Sequence, residues 1–443
     1  MGGFTSFAIS FSVISIVTGI SQLYGYGLQH GGPLQMSVGW WFVSLFTLTV
    51  AMAMAELASA YPTAGALYHW SSFLGGRRLG WFTACFNTIG QFAILAGIDY
   101  GLALYLVSLF GWAAGMAVPA YAVLLLSHAL FNHFGVRVVS ALNNFSAWYH
   151  MAVVAIFLAA LATKGFAQPA RFLFTFHQAD SYSPPYSFLI GILIAQWTLT
   201  GYDASAHVSE EIVDPRKNAP WGIVIAVAMS IVFGSLVLIA VTLSIPDIGR
   251  AAAFGDTAFV EILKARLGTG LGGALAVTIA GAMWLCGLAA LTSSSRMVYA
   301  FARDGGLPFS KFWAKINRAH KTPSNAIWGL AALAMCLAVS VDAYSAVVSI
   351  ATISLYVSYG LPILARFRAR RKGHDRVKGP WHLGVLSFPI SVIAVLWIAF
   401  ICVLFVLPPN TQAGKMLLGS LTVLVLIWIF VADRRFPGPK VKF

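Results

Sequence analysis

The chain has 443 residues, of which 59% are hydrophobic and only 9% charged, and its mean hydropathy is +0.81. A chain so long and so apolar has too little polar surface to fold as a water-soluble globule, which excludes soluble enzymes and soluble binding domains. The formal net charge of +14 reads as membrane orientation rather than as a nucleic-acid surface, because most of the basic residues fall in alternate loops.

Crossing the hydrocarbon takes about 20 helical residues, and twelve segments qualify: 7–28, 37–60, 80–109, 116–133, 143–163, 187–212, 221–245, 269–301, 324–341, 343–365, 384–407 and 414–432. With a cytoplasmic N-terminus, 22 of the 28 Lys and Arg residues fall in inside loops and the remaining six outside. This predicts an integral protein of the plasma (inner) membrane with both termini cytoplasmic. Met1–Ser6 fits an N-myristoylation pattern, superfluous in a chain held by twelve helices, and the tail before the first span is short enough to suggest a trimmed start. No basic n-region precedes the first span, so no cleavable signal peptide is expected. Cys85, Cys286, Cys336 and Cys402 stand singly in apolar runs, which supports neither a zinc site nor a disulfide framework.

Two spans carry a Thr-Gly pair where an unbroken helix is expected: Ser15–Gln22, "SIVTGISQ", in the first and Trp197–Ala204, "WTLTGYDA", in the sixth. They lie five spans apart. That is the spacing of an inverted repeat of five helices plus five, in which paired interruptions point to a binding site at mid-membrane. Lipid cannot satisfy free backbone groups, so irregular backbone at that depth lines a cavity or is buried in protein. The expected breaks are near Thr18–Ile20 and Leu199–Gly201. Single glycines are also common packing devices, as in the Gly97/Gly101 pair of the third span. After the second break Asp203 stands in a first helical turn, where it is expected to cap free N–H groups. Asp203, His207, Glu210 and Glu211 would form one stripe toward the cytoplasm, either a water-accessible pathway or partners for nearby Arg and Lys. Pro215 and Pro220 are expected to punctuate the loop that follows.

Four motifs then carry a family resemblance: Ala55–Trp70 "AELASAYPTAGALYHW", Asn143–His150 "NNFSAWYH", Thr200–Glu211 "TGYDASAHVSEE" and Ser293–Phe312 "SSSRMVYAFARDGGLPFSKF". Together they resemble the amino acid/choline transporter family of the amino acid-polyamine-organocation superfamily, over about two-thirds of the chain; the last four spans are generic. The resemblance implies the leucine-transporter fold: an inverted-repeat core over 1–365 (repeats 7–163 and 187–365), two peripheral helices over 384–432 and a cytoplasmic tail, 433–443. It also implies that Thr18, Gly19, Ile20 and Ser21 face Trp197, Leu199, Thr200 and Gly201 around the substrate, whose amine and carboxylate sit on freed carbonyls and half-helix N-termini. One departure is Val17, where amino acid carriers of the superfamily often have a glycine; a β-branched residue there is less ready to unwind than glycine, so fewer backbone N–H groups are expected to be free for the carboxylate.

His150 sits in mid-span, where proton-coupled relatives seat a lysine in place of sodium. An intramembrane ionisable group is a functional candidate, and histidine titrates near neutral pH; a core histidine bonded to a carbonyl is the alternative. Ala289, Thr292 and Ser293 resemble a sodium site, although Ser and Thr in membrane helices often bond back to their own helix. Proton coupling, sodium coupling and uncoupled exchange stay open, in that order. Asp99, toward the outside of span three, either neutralises a cationic substrate or hydrogen-bonds within the bundle. Tyr100, Tyr24 and Tyr26 offer ring faces to an ammonium, or sit at the membrane interface.

The reading is therefore a secondary transporter for a small amino acid or a γ-aminobutyrate-like amine. Choline or a polyamine is the alternative cargo, and a non-transporting sensor on the same scaffold the distant one. No cofactor is expected beyond a co-transported proton or sodium ion. No G-x-S-x-G, H-E-x-x-H or nucleotide loop occurs, so an intramembrane enzyme and ATP-driven transport by this chain are not expected.

Overall fold

The computed structural model describes residues 1–340, 344–373 and 377–441. Its helices are α1 (Gly3–Ile14), α2 (Ile16–Gln29), α3 (Trp40–Ala60), α4 (Leu67–Gly75), α5 (Arg77–Phe110), α6 (Ala117–His133), α7 (Val136–Thr163), α8 (Pro184–Gly191), α9 (Leu193–Thr198), α10 (Ala204–His207), α11 (Pro215–Leu243), α12 (Ile248–Ala253), α13 (Ala258–Arg303), α14 (Ser310–Trp313), α15 (Ser324–Ser340), α16 (Tyr344–Arg371), α17 (Ser387–Leu404) and α18 (Thr411–Ile427). Among the described residues ten helices, counting α1 and α2 together, are long and apolar enough to cross a membrane. The chain is an all-α polytopic membrane protein.

Two of the twelve expected spans are not among these ten. The stretch expected as the sixth is divided into α8, α9 and α10, with a non-helical segment from Leu199 to Asp203. Of the ninth, the apolar helical stretch Ser324–Cys336 is described, while residue 341 of that segment and residue 343 of the next lie outside the described residues. Pro215 and Pro220 also differ from expectation: Pro215 opens α11 and Pro220 lies inside it. A proline at the first helical position loses no hydrogen bond, because that N–H is unpaired in any helix.

The first interruption falls at Ser15, three residues before Thr18. Ser15 adopts φ 36° and ψ 81°, a left-handed conformation that costs a non-glycine residue strain energy unless its surroundings hold it. Helix α5 packs along α16 and α13, α3 along α11, and α1 lies among α11, α7 and α13. Loops rich in Arg and Lys gather at one end of the bundle, the basic end. At the other end His30–Gly31 pairs antiparallel with His177–Gln178.

Candidate functional site

The two interruptions meet. A Cβ on Gly19 would lie 2.4 Å from Thr198 Oγ1 and 2.7 Å from Thr198 Cα, so α2 and the end of α9 touch through backbone. Gly201 has φ 98°, open to glycine but strained for any other residue, and its missing side chain leaves room for Val13. Replacing Gly19 by Ala should therefore cut transport more than tenfold without preventing membrane insertion. Gly419→Ala, with open space around it, should leave transport unchanged in the same uptake assay.

Broken helices free backbone groups that must be paired in a dry interior. Ser10 performs much of this pairing. Its hydroxyl lies 2.8 Å from the Tyr202 carbonyl, accepts from the Ser205 N–H at 2.9 Å and lies 2.8 Å from the Ser205 hydroxyl. A residue of α1 thus caps α10. Asp203, expected in that role, makes no cap hydrogen bond. Its carboxylate instead accepts from Tyr359 at 2.7 Å, from Gln91 at 3.0 Å and from His207 at 3.0 Å. It ties the unwound segment to α5 and α16.

At the other break the Ser15 hydroxyl lies 2.6 Å from His150 Nε2 and 2.5 Å from Thr18 Oγ1. His150 Nδ1 is 2.8 Å from the Ser146 carbonyl. A carbonyl only accepts, so Nδ1 carries the proton, and in the neutral ring Nε2 accepts from Ser15. The Val13 carbonyl takes the Cys286 thiol at 3.2 Å, and the Ser21 hydroxyl donates to the Thr18 carbonyl at 3.0 Å. Protonation of Nε2 would reverse the Ser15 hydrogen bond at the strained residue where the helix breaks.

A cavity of about 450 Å³ opens at the end opposite the basic loops and descends to Ser21 and Gln22. Ser21 and Gln22 form its floor, and Trp197, buried behind them, donates to Gln22 Oε1 at 3.3 Å and rests against Gly97. Ile20 is fully buried. Leu199 and Thr200 are also buried, the Thr200 hydroxyl bonding back to the Gln196 carbonyl at 2.6 Å.

Other expected site residues lie elsewhere. Asp99 does not line the cavity; it accepts from His128 Nδ1 at 2.9 Å, both side chains fully buried, so it bonds within the bundle. Tyr24, one of the tyrosines weighed as interfacial, is buried and bonded to Thr242 at 2.8 Å. Tyr26 stacks on His30 and Tyr100 meets Tyr121 edge-on. Thr292 turns to α6, donating to Asn132 Oδ1 at 2.8 Å. Ala289 and Ser293 are buried, and the Ser293 hydroxyl has no partner among the described residues.

The basic end is shut. Asp203 and His207 are buried, so the expected stripe forms no open pathway. It also divides, because α10 stops at His207 and a 3-10 turn follows. Glu210 forms a two-pronged pair with Arg303 at 3.1 and 3.2 Å, and Glu211 pairs with Arg296 at 3.1 Å. Beside them Asp304 accepts from His69 at 2.9 Å and Tyr68 at 3.0 Å. Burial pushes the Asp304 carboxyl up, but the His69 hydrogen bond and charge and the Tyr68 hydroxyl together hold it below the usual carboxylate range. Its contribution to closure is therefore complete above that range and lost only as pH falls through the lower, folded value.

Sequence reasoning missed Ser10, Ser15, Gln22 and Gln91. Their signal was an uncharged polar side chain within an apolar span. Two touching breaks between an open cavity and a shut end suit a carrier, and comparison with known proteins names the kind. The family model described as "Amino acid permease" matches residues 1–431. The chain belongs to the amino acid permease family. It is 39% identical to an amino-acid permease BAT1 homolog of Oryza sativa subsp. japonica over 98% of this chain and 91% of that protein. Amino-acid permease BAT1 of Arabidopsis thaliana is 36% identical over 98% and 92%. A putative amino acid/polyamine transporter of Macrophomina phaseolina is 30% identical over 92% and 94%. As a member of the amino acid permease family, within the amino acid-polyamine-organocation superfamily, the chain is a transporter rather than an enzyme.

Proposed function

We propose that this permease is a secondary active transporter that moves a small amino acid across the plasma membrane by alternating access, driven by an inward proton gradient. The observation that carries the reading is the contact between His150 and Ser15 at the first helix break. A proton arriving at Nε2 makes the ring the donor and Ser15 the acceptor, and so biases the conformation of α1 relative to α2. Phe11 and Ser146 also contact His150, and among the described residues no carboxylate pairs with it.

In this reading the architecture is the twelve-span leucine-transporter fold with a five-plus-five inverted repeat in 1–365, two peripheral helices in 384–432, and both termini cytoplasmic. The basic end is then cytoplasmic, and the cavity faces outward. The substrate would lie between Thr18–Ser21 and Trp197–Gly201 once the two breaks separate, its charged ends meeting backbone groups and helix dipoles. The names of the relatives favour amino acids, with polyamines as the alternative cargo.

The unpartnered Ser293 hydroxyl favours a second reading, sodium coupling with Ala289 and Thr292. The test is uptake of labelled amino acids by the purified protein in proteoliposomes under a proton gradient, a sodium gradient or neither. Accumulation under the proton gradient alone is expected. Accumulation that requires sodium and ignores pH would transfer the coupling role to Ser293.

A further inference from the structure

The cavity is bounded by α2, α5, the 3-10 turn Gly255–Thr257 and the starts of α13 and α16. Most of its polar groups are already committed. Gln22 spends both ends of its amide on Trp197 and the Ile98 carbonyl. The Tyr344 hydroxyl donates to the Gly97 carbonyl at 3.0 Å and that of Tyr105 to the Ala276 carbonyl at 3.2 Å, so these residues present ring surface. Trp112 adds a third ring at the mouth. Among the described residues that line the cavity, Asp256 is the one that carries a charge; Asp342 lies outside the described residues.

The other described acids at this end have partners. Asp180 lies 3.5 Å from His30, Asp247 accepts from the Arg250 N–H at 2.9 Å, and Glu261 pairs with Lys264 at 3.1 Å. The Asp256 carboxylate, on an exposed residue, has neither an ion pair nor a hydrogen bond among the described residues, and it lines the same cavity as Tyr344. An unpaired carboxylate beside three aromatic rings has the composition of a cation site, which combines an ion pair with cation–π attraction. Its height in the bundle is set by the Gly255 carbonyl, which rests on Gly25. That is about one helical turn, roughly 5 Å, above Ser21 and Gln22.

Resting on the amino acid transporter reading, we infer that Asp256 receives the distal cationic group, ammonium or guanidinium, of a substrate with a long cationic side chain. The carrier therefore prefers basic over neutral and acidic amino acids. A side chain of lysine or arginine length spans the turn between the floor and Asp256; a short neutral one does not reach it, and an acidic one is repelled.

The test measures dissociation constants of arginine, lysine, alanine, glutamate and putrescine by thermal shift on the purified parent, Asp256→Asn and Asp256→Glu. In Asp256→Asn, arginine and lysine should bind about tenfold more weakly and alanine within twofold of the parent, while Asp256→Glu should keep most of the basic-residue affinity. Equal weakening of all ligands, no weakening of arginine and lysine, or a parent that binds no cation would overturn the inference. If putrescine alone binds and weakens tenfold in Asp256→Asn, the cation site stands and the amino acid reading falls. If alanine binds and the basic ligands do not, the amino acid reading stands and the Asp256 site falls.

Discussion

Replacing Asp203 by Ala should abolish transport and lower stability by about 3 kcal/mol, the summed worth of the hydrogen bonds it orphans at roughly 1 kcal/mol each inside a membrane bundle. The effect is large because the donors from Tyr359, Gln91 and His207 converge on one carboxylate and cannot reach water once it is gone. Asp203→Asn should cost less than half as much. The Tyr359 hydroxyl can turn and accept from the new amide, leaving the amide oxygen for Gln91 and His207. Thermal unfolding in detergent with uptake in proteoliposomes checks both. Equal stability of Asp203→Ala and the parent would mean that the unwound segment is held by backbone and Ser10 alone.

His150→Gln should abolish concentrative transport while leaving binding and exchange in place. Glutamine can still donate to the Ser146 carbonyl and accept from Ser15, but it has no titratable nitrogen. With one proton per substrate, an inward gradient of one pH unit can support about tenfold accumulation, because each unit is worth about 1.4 kcal/mol. The variant should equilibrate its substrate at a ratio near one. If it accumulates as well as the parent, His150 is a core histidine bonded to a carbonyl.

The break at Leu199–Asp203 was legible because Gly201 combines low helix propensity with a backbone conformation that favours glycine. The break at Ser15 was not, since serine carries no such signature; its conformation is held by His150, 135 residues away in sequence. Asp203 shows the same limit. Its position after a break suggested a local cap, yet its partners come from α5 and α16, 112 and 156 residues away, and the cap passes to Ser10. Glu210 and Glu211 left two readings open, which Arg303 and Arg296 decide. The apolar spans themselves were plain wherever the helix stayed whole. Where span six breaks, hydropathy alone marked its length but not its division. Asp256 escaped notice because its meaning depends on the surrounding acids being paired, which only the fold reveals.

Alternating access is tested most directly by two cysteines placed singly in a background without the native four. The substitutions are Ala206→Cys and Ser108→Cys: Ala206 lies buried in α10, between the second break and Glu210 of the shut end, and Ser108 lines the cavity. With a transported amino acid and an inward proton gradient, a membrane-impermeant maleimide applied at the basic end should label position 206 severalfold faster than without substrate. Applied at the other end, it should label position 108 more slowly. Labelling of both positions at rates indifferent to substrate would contradict the account.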